Sequence, residues 1–92
     1  LDPDRFGAAG ASAGGHLVAL LGTSPTAKEL DGDYKPSDVS PAVQAVCDIF
    51  GPADLVTIGR EDATNAVSRL LGGTVREKKE LAKLGSPVNY VT

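Results

Sequence analysis

The sequence has few of the residue types that form disulfides, metal clusters and aromatic binding surfaces. Its 92 residues include one cysteine, one histidine and no tryptophan, and aromatic residues make up 4%. One cysteine excludes an internal disulfide, and so few Cys and His ligands argue against a metal site. Sparse aromatics argue against a platform for stacked bases or a large carbohydrate cleft. We therefore expect neither a metal nor a cofactor.

Long apolar runs and clustered basic residues are also missing. The sequence has no stretch of about 18 apolar residues and no basic, then apolar, leader pattern, so it predicts neither a membrane span nor a secretion signal. The net charge is −3, and lysine and arginine are dispersed among acidic residues. Such a distribution offers no basic face to phosphates, so nucleic acid is not an expected partner.

The first half of the sequence predicts a strand, a helix, a long connection and a second strand. A short strand over 5–9 precedes an apolar helix over 14–21, with Gly22 placed to end it. Residues 23–40 are polar and punctuated by proline and glycine, which indicates a surface connection. The run over 43–50 is apolar and β-branched, so we expect a strand buried on both faces, with Cys47 as a small buried side chain.

The second half predicts two helices with clear end signals. Asp62 or Thr64 can cap a helix that reaches Leu71, and Thr74 with Glu77 forms a capping box for a second helix that ends at Gly85. An extended segment over 88–91 follows. The order of elements predicts an α/β fold, and two parallel strands leave two open edges, so the sheet is expected to be incomplete. We predict one partial domain over 1–92, in which 55–85 forms a helical cap or insertion.

The motif with chemical meaning is Gly10-Ala11-Ser12-Ala13-Gly14, which matches G-x-S-x-G. This is the pattern of a nucleophile elbow, a sharp turn between a strand and a helix. Small flanking residues remove clashes at such a turn, so the serine oxygen projects from the sheet edge. The next amide, at the helix N-terminus, can donate to an oxyanion. Ser12 is thus the predicted nucleophile and Ala13 the predicted oxyanion donor.

Two alternatives use the same glycines differently. In the first, the segment is a structural strand-to-helix turn and Ser12 only caps the helix. In the second, it is a dinucleotide-binding turn of an oxidoreductase domain, but His16 occupies the position of the third glycine and would obstruct a pyrophosphate. A P-loop is excluded because no Lys-Ser or Lys-Thr follows the glycines.

Several runs together resemble a known family. The runs RFGAAGASAGGHLVALLGTS, VCDIFGPADL, LLGG and SPVNYV are similar to the esterase and lipase branch of α/β-hydrolases. That branch includes feruloyl and acetyl-xylan esterase-like proteins and hormone-sensitive-lipase-like carboxylesterases. The resemblance implies an α/β-hydrolase fold with Ser12 as nucleophile, the Ala13 amide in the oxyanion hole, and Gly10, Gly14 and Gly15 as elbow glycines. It also implies that the second oxyanion donor, the acid and the base lie outside these 92 residues.

His16 and Asp54 are weaker candidates for the catalytic base and acid. His16 follows Ser12 by four residues in the first turn of a helix, which suits a structural hydrogen bond better than proton transfer. Asp54 follows the second strand, where some lipases of this fold take their acid, although a turn-stabilising role fits it better.

The resulting hypothesis is a serine carboxylic-ester hydrolase that acts through an acyl-serine and is inactive as an isolated 92-residue chain. Its substrate is a small-molecule or carbohydrate-linked ester. A non-catalytic hydrolase-like binding domain stays open as the alternative.

Overall fold

The structure, a computed structural model, describes residues 2, 4–30, 40–58 and 65–91. Within these ranges the chain forms two strands, four α-helices and two short 3-10 helices. The strands are β1 (Gly7–Ala11) and β2 (Ala45–Ile49), and the α-helices are α1 (Ala13–Thr23), α2 (Leu55–Ile58), α3 (Ala66–Leu71) and α4 (Lys79–Leu84). The 3-10 helices span Lys28–Leu30 and Pro87–Tyr90.

The two strands are parallel, as the order of predicted elements required. Gly7 pairs with Ala45 at one end of the ladder and Ala11 with Ile49 at the other. Helix α1 connects to β1 through a single residue and packs against both strands. Because the strands are parallel, both carboxyl ends lie at one edge of the sheet, and Ser12 and Phe50 are the first residues beyond it.

The prediction that the second strand is buried on both faces was wrong for this chain. Every residue of β2 is exposed, including Cys47, and Ile49 is 45% exposed. The physical reason is that the described residues supply one covering layer, α1, whereas burial of a parallel strand requires layers on both faces.

Two predicted boundaries in the first half also moved. Strand β1 starts at Gly7 and continues to Ala11, rather than spanning 5–9, because its pairing with β2 outweighs weak local propensity. Helix α1 continues through Gly22 to Thr23. Gly22 does not end the helix; it lies against the side chain of Val46, where a Cβ would approach closer than 3.0 Å.

The helix-end signals in the second half were mostly correct. The reciprocal hydrogen bonds of the predicted capping box form: the Thr74 amide donates to Glu77 Oε1 at 3.0 Å and the Glu77 amide to Thr74 Oγ1 at 3.2 Å. They do not start α4, however, because that helix begins at Lys79, with Lys78 at its N-cap position. Helix α3 ends at Leu71 before Gly72, which has a φ of 78°, and α4 ends before Gly85. The cap of α3 is Asn65, whose side chain accepts from the Ser68 amide.

Other details differ from the prediction. Asp62 and Thr64, the predicted caps of α3, lie outside the described residues. The predicted extended segment is instead the 3-10 helix Pro87–Tyr90, in which Pro87 occupies an early position where its missing N–H costs nothing.

The buried core lies among the helices of the second half. Leu55, Leu71, Val75 and Ala82 form one cluster, with Val56 and Val67 packed against it. This cluster fixes α2, α3 and α4 relative to one another. The assignment of 55–85 to a cap or insertion stays a prediction.

Candidate active site

The turn between β1 and α1 consists of Ser12 alone. Its φ of 54° and ψ of −116° fall outside the regions that non-glycine residues ordinarily adopt. Two backbone hydrogen bonds hold it there: the Ser12 amide donates to the Ile49 carbonyl at 2.9 Å, and the Ser12 carbonyl accepts from the His16 amide at 3.0 Å. Strained backbone of this kind persists only where the surroundings impose it, and it concentrates at functional sites.

The hydroxyl of Ser12 is not used to cap the helix. Ser12 occupies the N-cap position of α1, yet its side chain makes no capping hydrogen bond, and the residue is exposed. An N-cap serine normally accepts from the amide of the second or third residue of the helix, but the backbone angles here turn the chain differently. The structure therefore gives no support to the alternative in which Ser12 serves only as a cap.

Gly10 allows β1 and α1 to approach each other at the turn. A Cβ on Gly10 would lie 3.0 Å from the Gly15 nitrogen and closer still to the Gly14 backbone. Gly14 is different, because no heavy atom of the described chain lies within 4 Å of the position that its Cβ would take. The clash argument for elbow glycines thus applies to Gly10 and not to Gly14.

A second close approach joins α1 to the end of β2. A Cβ on Gly15 would lie 2.9 Å from the Gly51 backbone, and a Cβ on Gly51 would lie 2.6 Å from Asp48 Oδ1. Asp48 Oδ1 accepts the Gly51 amide at 2.8 Å and so fixes the turn that follows β2. Gly51 and Gly15 lie 36 positions apart, so no local sequence pattern indicates this contact.

Ala13 is the first residue of α1, so its amide has no carbonyl partner inside the helix. The helix dipole adds partial positive charge at this end. Ala13 and Ser12 both line the same cavity. An amide in this position can donate to a negatively charged oxygen that develops beside Ser12.

His16 is buried, and its ring is engaged away from Ser12. Nε2 lies 2.7 Å from the Gly85 carbonyl oxygen, which can only accept, so Nε2 carries the proton. The residue is 6% exposed. A protonated Nε2 cannot accept a proton from Ser12, so this nitrogen does not act as the general base in this arrangement.

Asp54 forms the start of α2. Its Oδ1 accepts the Val56 amide at 3.0 Å, and its carbonyl accepts the Ile58 amide at 3.2 Å. These are the contacts of a helix-capping aspartate. Within the described residues, no hydrogen bond joins Asp54 to His16.

The segment after α4 ties these parts together. Gly85 accepts from His16 of α1, and the next residue, Ser86, is fully buried. The Ser86 hydroxyl accepts the Leu55 amide at 2.9 Å and donates to the Ala82 carbonyl at 2.6 Å. Residues 85–86 therefore connect the helix that follows Ser12 to the start of α2 and to α4.

A cavity of about 240 Å³ opens beside Ser12, and we call it the Ser12 cavity. Residues of α1 and α3 and the first residue of α2 line it. Its lining residues are Ser12, Ala13, His16, Leu17, Pro52, Leu55, Ala66, Val67 and Leu70. Within the described residues no cluster of three or more metal-ligating side chains occurs, and no helix is long and apolar enough to cross a membrane.

A family model named BD-FAE, which describes an α/β-hydrolase-like family, matches residues 1–92. The chain belongs to the BD-FAE family. This membership supports an esterase-type hydrolase and favours it over the dinucleotide-binding alternative, whereas the parallel α/β arrangement is common to both folds.

A solved structure agrees with the BD-FAE assignment. The chain resembles a bifunctional GH43-CE from Bacteroides eggerthii at 29% sequence identity with a TM-score of 0.85. The match covers 99% of this chain and 14% of that protein, so the chain spans about one seventh of the length of this structural relative. No curated protein matches the sequence.

Proposed function

We propose that this chain carries the nucleophile-bearing part of a serine carboxylic-ester hydrolase that acts through an acyl-serine intermediate. The observation that carries the proposal is the backbone of Ser12, which is held at a φ of 54° between a strand and a helix with no capping bond on its hydroxyl. BD-FAE family membership and the GH43-CE likeness support the esterase class.

The chemistry runs in two steps. In the first, Ser12 Oγ attacks the ester carbonyl carbon, the serine proton passes to a general base, and the carbonyl oxygen becomes an oxyanion next to the Ala13 amide. Collapse of this intermediate breaks the bond to the alcohol oxygen, which leaves with a proton. In the second step, water attacks the acyl-serine and releases the carboxylic acid, and Ser12 regains its proton.

The general base is proposed to come from outside these 92 residues. His16 is the only histidine of the chain, and its Nε2 is committed to Gly85. The catalytic acid and the second oxyanion donor are likewise proposed to lie elsewhere in the full-length gene product. The isolated chain is then expected to be nearly inactive toward esters.

The test is labelling by a fluorophosphonate, which reacts with activated serines. In the full-length gene product we expect one label, located on Ser12 by peptide mass spectrometry, and we expect Ser12→Ala to abolish both labelling and ester hydrolysis. Ser24→Ala is the control, because Ser24 lies at the far end of α1. An unlabelled Ser12 in the full-length protein would refute the proposal and favour the non-catalytic binding domain.

The inactivity of the isolated chain needs its own measurement. The same probe should label the 92-residue chain at least about 100-fold more slowly than the full-length protein, since removal of a general base costs roughly 10²–10⁴-fold. Equal labelling rates would mean that the chain contains its own base.

A further inference from the structure

The Ser12 cavity has almost entirely apolar walls. Of its nine lining residues only Ser12 and His16 are polar, and Nε2 of His16 is already paired with Gly85. No charged side chain of the described residues lines it. A charged group placed there would find no charged partner among these residues, so the lining favours an uncharged, apolar group.

Two leucines at the cavity are much more exposed than leucine usually is. Leu17 of α1 is 60% exposed and Leu70 of α3 is 61% exposed, and both line the cavity. Leu55, which also lines it, is only 1% exposed and is fixed through its amide by Ser86. The cavity thus combines a rigid wall at Leu55 with two leucine side chains that an apolar ligand would cover.

The volume of the cavity indicates the size of the apolar group that it can hold. Its volume is about 240 Å³. An apolar protein cavity of roughly 150 Å³ holds benzene. The Ser12 cavity therefore has room for an aromatic ring or an alkyl chain of about six carbons.

We propose that the Ser12 cavity binds an uncharged apolar group of the ester, of about six carbons, and that Leu70 sets the length that is accepted. The proposal rests on Ser12 being the nucleophile. The apolar group can belong to the acid or to the alcohol side of the ester, because either can extend from a carbonyl carbon attached at Ser12.

The experiment compares four esters with the full-length gene product, by kcat/KM from acid release. Methyl acetate is the reference, methyl hexanoate extends the acid side, hexyl acetate extends the alcohol side, and monomethyl adipate places a carboxylate at the end of a six-carbon acid. We expect kcat/KM for at least one of the two six-carbon esters to exceed that for methyl acetate by about tenfold or more. If the acid side occupies the cavity, kcat/KM for monomethyl adipate should be at least about tenfold below that for methyl hexanoate. If hexyl acetate is the preferred ester, the alcohol side occupies the cavity.

Leu70→Trp tests the position of the group. It should lower the ratio of kcat/KM for the preferred six-carbon ester to that for methyl acetate by about tenfold. Leu81→Ala is the control, because Leu81 is a 46% exposed helical leucine that does not line the cavity; its ratio should stay within about twofold of the parent's. Leu70→Ala, which enlarges the cavity, should shift the preference toward eight-carbon esters.

The outcomes separate the two proposals. Absence of Ser12 labelling and of all hydrolysis would defeat the proposed function itself. Hydrolysis with normal labelling, but with ratios that do not respond to Leu70→Trp or Leu70→Ala, would defeat the cavity proposal alone. Tolerance of a carboxylate within about twofold, in a protein that prefers methyl hexanoate, would also overturn it.

Discussion

Ser12 and Phe50 each lie one residue beyond the last pair of the sheet, Ala11 with Ile49, and both have a positive φ, 54° and 42° respectively. Among the described residues they are the only non-glycine residues with this property. The two strands therefore turn sharply away from the sheet at the same edge, side by side. The Ser12 amide bonds to Ile49, the residue before Phe50, so the two turns support each other.

Gly10→Ala should disrupt the turn at Ser12, because the new Cβ would overlap the Gly14 backbone. A displacement of the order of 1 Å at a reacting group costs roughly 100-fold in rate, so fluorophosphonate labelling of Ser12 in the full-length protein should slow by about that factor. Gly14→Ala is the matched control, and it should label within a few-fold of the parent because its Cβ meets open space in the described chain. Equal effects of the two substitutions would contradict the proposed packing.

Gly51→Ala should destabilise the protein by about 1–3 kcal/mol, the usual cost of overpacking. The added methyl would press on the Gly15 and His16 backbone and on Asp48. Gly7→Ala provides the comparison, since a Cβ there would meet Ala45 at an ordinary 3.7 Å. Chemical denaturation of both variants measures the difference, and a Gly51→Ala variant as stable as Gly7→Ala would show that the two backbones are not in contact.

Ser86→Ala should cost about 1–3 kcal/mol of unfolding free energy, because it leaves the buried Leu55 amide without its acceptor. The fully buried position gives water no access to replace the hydroxyl. Ser40→Ala, at an exposed serine, should change stability by less than about 0.5 kcal/mol. Thermal or denaturant unfolding of the two variants provides the measurement; similar values would mean that Ser86 is not a structural anchor.

His16→Gln separates a structural role from a catalytic one. Loss of the bond to Gly85 should destabilise the protein by about 1 kcal/mol, while Ser12 labelling should slow by less than about tenfold. Removal of a true general base would instead slow labelling by roughly 10²–10⁴-fold. If Ser12 labelling slowed by a factor in that range in a variant that still unfolds cooperatively, His16 would be the general base.

The capping box at Thr74 should respond to pH. The hydrogen bonds from the Thr74 amide and hydroxyl hold the pKa of Glu77 below its ordinary value of 4.5. A lowered folded-state pKa means that the carboxylate stabilises the fold fully above pH 4.5, and that this contribution is lost as the pH falls through the lower folded value. The Thr74 amide resonance should titrate with a midpoint below 4.5, and Glu77→Gln should remove the titration. A midpoint at or above 4.5 would mean that the box does not form in solution.

The sequence predicted the features that depend on neighbours along the chain. The G-x-S-x-G motif located the turn at Ser12, and the T-x-x-E pattern predicted the hydrogen bonds between Thr74 and Glu77, because in both cases the interacting residues are at most a few positions apart. The same pattern did not locate the start of α4, which lies at Lys79. The parallel order of β1 and β2 followed from the helix between them. Strand limits were less accurate, since pairing across the sheet decides where β1 ends.

The sequence did not reveal the contacts that shape the cavity. The bond between His16 and Gly85 joins residues 69 apart, and the bond between Leu55 and Ser86 joins residues 31 apart. Nothing in the local pattern distinguishes Ser86 from an ordinary serine before proline. Leu70 is 58 positions from Ser12, and only the folded chain brings both to the lining of one cavity. The roles of Ser12, Ala13 and the elbow glycines stay predictions.

The consecutive residues Gly85 and Ser86 link α1 to the start of α2, two elements that lie far apart in sequence. The Gly85 carbonyl accepts a hydrogen bond from His16 of α1, and the Ser86 hydroxyl accepts one from the amide of Leu55, which lines the Ser12 cavity. The positions of α1 and of the start of α2 therefore both depend on these two consecutive residues. Residues 85–86, between α4 and the last 3-10 helix, thus act as one anchor for both α1 and the Leu55 wall of the Ser12 cavity.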